Sequence, residues 1–144
     1  MEEQSFAKHA RFVPLFHFFL LPLLLLTFIG AAITLVHALL DHRGRHAAIF
    51  LASSTFAAIF IAFFARIFAL KAQDRAIRAE ENLRHFAMTG KLFDKRLTTR
   101  QIIGLRFASD EEFLDLARKA ADENLSEKEI KKSVKNWRAD HDRL

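Results

Sequence analysis

The chain has no cysteine and no tyrosine, one tryptophan, two prolines and four glycines among 144 residues. Without cysteine there is no disulfide framework, no Cys-ligated zinc and no thiol nucleophile. With so little proline and glycine, long stretches carry nothing that interrupts a helix. Charge is nearly absent from one half: between Phe12 and Leu70 only Asp41, Arg43, Arg45 and Arg66 are ionised. Also missing are a glycine-rich phosphate loop, a serine elbow and a paired-histidine metalloprotease motif, so no reaction class is indicated. The sequence reads as a non-enzymatic protein without a cofactor.

What is present is divided. Hydrophobic residues make up 51% and charged residues 27%. From Lys71 to Leu144 there are 17 Lys+Arg and 14 Asp+Glu. The first half is too apolar for water and the second too charged for burial, which excludes a plain soluble globule. The expected fold is an all-α membrane protein. It has a leader at 1–11, a transmembrane helical hairpin at 12–70, a stalk helix at 71–90 and a small three-helix tail at 91–144.

A helix needs roughly 20 apolar residues to cross the hydrocarbon core. Phe12 to Leu40 gives 29, and Ala47 to Ala65 gives 19 before Arg66. A disturbance is expected near Pro22, whose ring clashes with the preceding turn. A cleaved signal peptide fits less well, because the leader carries Glu2 and Glu3 and the apolar run exceeds the roughly 7–15 residues of a signal core. The connection 41–46 is short, so the spans form a hairpin. Lys8, Arg11, Arg66, Lys71, Arg75, Arg78 and Arg84 flank its open end, against Arg43 and Arg45 at the loop. Positive charge stays inside, which puts both termini in the cytoplasm and the loop outside. Arg66, Lys71, Arg75 and Arg78 are the expected headgroup contacts, Arg66 by snorkelling.

Twelve of the 16 phenylalanines lie in the first 70 residues. Phenylalanine lacks the polar edge that places Tyr and Trp at interfaces, so these rings are expected to face lipid or fill helix contacts. Nothing from Ala47 to Thr89 breaks a helix, and Gly90 suits the left-handed position beyond a helix end. The second span is therefore expected to run on into the stalk as one helix of about 60 Å, at 1.5 Å per residue. Asp74–Arg78, Glu80–Arg84 and Glu81–His85 place acid four residues before base.

Along this helix runs a seam spaced alternately by three and four: Ala48, Leu51, Thr55, Ala58, Ala62, Ala65, Ala69, Ala72, Ala76, Ala79, Leu83 and Phe86. That is a heptad a/d pattern, and small residues permit close helix approach in lipid. It points to packing against another helix, either of a second copy or another membrane subunit, or of the first span.

Three capping boxes follow: Thr98 with Gln101, Ser109 with Glu112, and Ser126 with Glu129. The predicted tail core is Ile102, Phe113, Leu116, Ile130, Val134 and Trp137, with the last three on one face of a third helix. Three helices in fewer than 50 residues make a thin core that needs outside support. Charge is zoned. Lys71–Arg106 carries nine basic and four acidic residues, Phe107–Ser126 two and six, and Glu127–Leu144 six and four. The acidic middle zone argues against DNA, although Lys128, Lys131, Lys132, Lys135 and Arg138 share the last segment. No nucleic-acid partner is expected.

Gln73 to Phe113 (QDRAIRAEENLRHFAMTGKLFDKRLTTRQIIGLRFASDEEF) and Leu125 to Asp140 (LSEKEIKKSVKNWRAD) resemble a bacterial family of small two-span membrane proteins catalogued only as a domain of unknown function. The resemblance implies a bacterial membrane location and the same hairpin-plus-tail plan. It transfers no catalytic residue.

Weaker candidates remain. His37, Asp41, His42 and His46 cluster at the loop and have ligand chemistry for zinc, copper or nickel, provided the helix persists through His42. Arg43, Arg45 and the flexible Gly44 oppose that, and a polar headgroup loop is the simpler reading. His17 is ionisable within the first span, where a hydrogen bond inside the hairpin competes with a proton relay or haem ligand. The leading expectation is an inner-membrane structural or interaction subunit that assembles through the seam and presents the tail to partners. An oligomeric transport or channel subunit is the alternative, and a metal- or haem-binding membrane protein ranks third.

Overall fold

The computed structural model describes residues 13–139. The expected leader and residues 140–144 lie outside them. All the described regular structure is helical, apart from an isolated antiparallel bridge between Ala108 and Trp137. A π-helical segment, Leu15–Leu20, leads into α1 (Leu21–Leu40), followed by α2 (Arg45–Thr89), α3 (Thr99–Leu105), α4 (Asp110–Asp122) and α5 (Glu127–Ser133). Two compact units share the chain, one covering Phe12–Ala69 and the other running from Leu70 onward. Helix α2 contributes to both.

In the hairpin unit, the disturbance expected at Pro22 takes the form of the wide π turn. The Leu21 N–H reaches the Phe16 carbonyl, five residues back, and Pro22 sits at the start of α1. The wider turn accommodates a ring that would otherwise meet the carbonyl four residues earlier. The stretch Leu15–Leu40 and helix α2 are both long and apolar enough to cross a membrane.

Their contacts set the register. The Phe28 and Phe56 rings lie 5.8 Å apart, and the Arg66 guanidinium lies 5.8 Å from the Phe16 ring. As one partner number rises the other falls, so the helices are antiparallel. Small residues are the ones buried: Ala31 is 2% exposed and Ala48 4%. Large ones face outward, including Leu26, Ile61 and Phe63. Phe56, Phe60, Phe64 and Phe68 form a ladder with successive ring centroids 4.9, 6.2 and 6.0 Å apart, as spacing by four requires.

In the other unit, α2 ends where Gly90 takes φ +71° and its N–H bonds the Phe86 carbonyl at 2.7 Å. Two of the three capping boxes form. Thr98 Oγ1 accepts from the Gln101 N–H while Gln101 Oε1 accepts from the Thr98 N–H, and Ser126 and Glu129 do the same. The third does not. Ser109 makes no side-chain cap, and Glu112 instead accepts the backbone N–H groups of Lys135 and Asn136. The carboxylate is better used on a segment that has left the helix and has free donors.

That segment corrects the third helix. It stops at Ser133, Val134 is already extended, and Trp137 bridges to Ala108 rather than completing a helical face. Trp137 still packs on the core, its ring 4.7 Å from Phe107. Helix α4 closes with Asn124 at φ +49° and the Leu125 N–H on the Ala120 carbonyl, a six-to-one bond that satisfies an otherwise orphaned acceptor.

The tail core includes five of the six residues expected: Ile102, Phe113, Leu116, Ile130 and Val134 are buried, and Trp137 is partly so. Phe93 and Leu97, from the connector, join them. Gly104 lets α3 and α5 touch: a Cβ there would meet Ile130 Cγ2 at 3.1 Å and the Glu127 carbonyl at 3.2 Å.

Candidate functional site

The stalk, the part of α2 from Leu70 onward, presents two faces with opposite fates. Ile77 and Glu81 are buried, each 7% exposed, and the tail packs on their side. On a helix of 3.6 residues per turn, Ala72, Ala76, Ala79, Leu83 and Phe86 fall on the opposite side. They are exposed, Leu83 at 67% and Phe86 at 49%.

The packed face is held mainly by Arg84. Its Nη1 donates to Glu81 at 3.1 Å, its Nε to Asp110 at 2.8 Å and its Nη2 to the Ala108 carbonyl at 2.9 Å. The guanidinium also lies 4.0 Å over the Phe113 ring. A planar cation with five donors can make all these contacts at once, whereas lysine cannot. Arg138 adds a looser contact to Glu81 at 3.9 Å. Asn82 accepts the Phe93 N–H, and the His85 ring lies 4.6 Å from the Phe93 ring while its Nδ1 donates to the Lys91 carbonyl.

These contacts replace the four-residue pairs expected along the stalk. Arg84 pairs with Glu81 and Asp110 rather than Glu80, His85 bonds backbone rather than Glu81, and Arg78 reaches Thr99. For Arg84, several acceptors and the Phe113 ring met at once outweigh a single solvated neighbour on the same helix.

Among the described residues, three carboxylates sit below their ordinary pKa. Arg84 lowers that of Asp110, Arg96 that of Asp94, and the Ser126 hydroxyl and N–H that of Glu129. A lowered folded pKa contributes stability that is present above the ordinary carboxylate range. It is lost as pH falls through the folded values. The tail unit is therefore expected to keep a constant melting temperature at neutral pH and to lose it progressively below the ordinary carboxylate range. A melting temperature read by Trp137 fluorescence that stayed flat into that acid range would contradict this. The effect should be modest, because the Asp110 side chain is 75% exposed and solvent screens it.

Beside the packed face is an open cleft of about 360 Å³. Leu92, Phe93, Leu114 and Ala117 give it an apolar floor, with Lys91 and Arg118 among its polar edge. Arg96 also lines it, but is held by Asp94 at 2.7 Å and Asp122 at 3.0 Å.

The seam proposed from sequence is divided. Ala48 is buried, and Thr55, Ala58, Ala62 and Ala69 are half-buried in the hairpin unit, while Leu51 and Ala65 are exposed. The loop candidates are spread along the backbone. His37 is in the last turn of α1, Asp41 caps it, His42 sits at φ +58° outside any helix and His46 opens α2. The helical spacing that would have aligned His42 with His46 is thus broken. Among the described residues no three His, Cys, Asp or Glu side chains are grouped to hold a metal ion. His17 Nδ1 lies 3.1 Å from the Val13 N and 3.0 Å from its carbonyl. Of the expected headgroup residues, Lys71, Arg75 and Arg78 are exposed, and Arg66 is half-buried beside Phe16.

Sequence reasoning missed the Arg84 knot. Its partners are distant in sequence, and an arginine in a charged helix looks like any other. No curated protein and no solved structure matches the chain. A family of unknown function, DUF6526, matches it over residues 1–144, and the chain belongs to that family.

Proposed function

We propose that this protein is a non-enzymatic subunit of a bacterial inner membrane, anchored by the hairpin with both termini in the cytoplasm. It assembles through the seam of α2 and offers its charged tail to partner proteins. The observation that carries the reading is the exposed stalk face. A helix packed on its Ile77–Glu81 side keeps Leu83 and Phe86 in solvent, which costs apolar burial unless another surface covers them. Support for the anchor comes from two apolar helices of spanning length whose large side chains point outward. The basic residues flanking the open end of the hairpin fit anionic headgroups on the inner leaflet.

Leu83→Glu combined with Phe86→Glu tests the reading. Both side chains are exposed, so the tail should stay folded while the assembly falls apart. Native mass spectrometry from lipid nanodiscs is expected to give a multimer for the parent chain and a monomer for the variant. A parent chain that is monomeric, or a variant of unchanged size, would refute the seam's role.

A further inference from the structure

The stalk face carries a charge pattern that specifies its partner. In the heptad frame, Ala69, Ala76 and Leu83 take a positions and Ala72, Ala79 and Phe86 take d positions. Arg75 then falls at g and Glu80 at the following e, five residues later. In a parallel two-stranded coiled coil a g residue meets the e residue of the next heptad on the other strand. Two identical parallel strands in register therefore pair Arg75 with Glu80 of the second copy, and the reverse, giving two ion pairs per dimer. An antiparallel pair juxtaposes g with g and e with e, setting arginine near arginine and glutamate near glutamate.

Both side chains are exposed, and neither has an ion pair within the chain among the described residues. Glu80 loses its expected partner because Arg84 is drawn to Glu81 and Asp110. The intrachain fold thus leaves Glu80 and Arg75 available on either edge of an uncovered apolar stripe that ends in Leu83 and Phe86.

We infer that the stalk face of α2 docks on the same face of a second copy as a parallel, in-register coiled coil, with Arg75 and Glu80 fixing orientation. The inference rests on the assembly proposed above and names its partner and geometry. Small a and d residues bring the backbones close, and Leu83 and Phe86 supply most of the apolar burial. Two copies held in one bilayer with the same topology are already parallel and meet at raised effective concentration, so a short seam suffices.

The natural absence of cysteine makes the test clean. Ala72→Cys, Ala76→Cys and Leu83→Cys, all at exposed seam positions, are made singly in the full chain, reconstituted in liposomes and oxidised with copper phenanthroline. All three should form disulfide dimers, whereas Asp74→Cys, on the opposite side of the frame, should not. Glu80→Arg should slow dimer formation at Ala76→Cys on the order of fivefold, through two attractive pairs turned repulsive. Adding Arg75→Glu to the Glu80→Arg variant should restore it. Crosslinking at only one of the three positions would mean an antiparallel crossing and overturn the inference, as would failure of the double charge swap to restore the rate. A multimer by native mass spectrometry without these crosslinks would refute this geometry while leaving assembly intact. A monomer would remove both.

Discussion

Replacing Arg84 with methionine should destabilise the tail unit by about 3 kcal/mol, because it strands a buried carboxylate. Glu81 is 7% exposed and Arg84 is its near partner, with Arg138 standing off at 3.9 Å. The variant also frees the Ala108 carbonyl and removes the cation over Phe113. The cost therefore arises less from the lost attraction than from the unpaired groups left behind. That distinction can be measured. Arg84→Met with Glu81→Leu removes both charges, fills similar volume and should recover most of the loss, because replacing a whole buried pair by apolar groups is often neutral. Thermal unfolding of the full chain in nanodiscs, followed by Trp137 fluorescence, gives the comparison. A single variant within about 0.5 kcal/mol of the parent would show that the knot is ornamental.

Gln101→Leu should cost a similar amount, about 3 kcal/mol, through a different mechanism. One end of this buried side chain completes the α3 cap: Oε1 accepts the Thr98 N–H at 2.8 Å and its hydroxyl at 3.0 Å. The other end crosses the core, where Nε2 donates to the Leu125 carbonyl at 2.9 Å and the Ala120 carbonyl at 3.3 Å. A single residue thus joins the start of α3 to the end of α4. Leucine matches the volume but leaves the Thr98 donor and the two carbonyls without it. Thr98→Ala removes only the cap and should cost about 1 kcal/mol. Equal losses for the two variants would mean that the bonds to α4 add nothing.

Gln101 also shows how far the sequence could be read. Its place in a capping box follows from spacing alone, since Thr98 stands three residues before it. Its second role depends on where α4 ends in space, which no local pattern records. The same division runs through the fold. The uninterrupted α2 was legible because no proline or glycine occurs from Ala47 to Thr89, and Gly90 marked its end. The hairpin was legible from two apolar runs and a short polar connection.

The third helix was misread because Trp137 continued a seven-residue interval that Ile130 had begun. The backbone leaves the helix at Val134, and Glu112 captures the freed N–H groups. Glu112 had been assigned to a cap by its distance from Ser109, a pattern that two other sites in the tail satisfy. The core gained Phe93 and Leu97 from a stretch with no helical period to flag them.

The seam was legible in the sequence, but its division into covered and exposed residues was not. Which half is covered depends on α1 in the hairpin unit and on the tail's choice of the Ile77–Glu81 side in the other. That choice follows from Arg84 reaching Asp110 and Ala108, contacts 24 to 26 residues away. The opposite face stayed bare as a consequence.

The central claim is that the apolar hairpin crosses a bilayer with its loop outside and its tail inside. Single cysteines introduced at Arg43 in the loop and at Lys128 in the tail, each in the otherwise cysteine-free chain, test it by labelling with a membrane-impermeant maleimide in spheroplasts. The loop cysteine should react in intact spheroplasts, and the tail cysteine only after permeabilisation. Labelling of both positions in intact spheroplasts, or of the tail alone, would contradict the account.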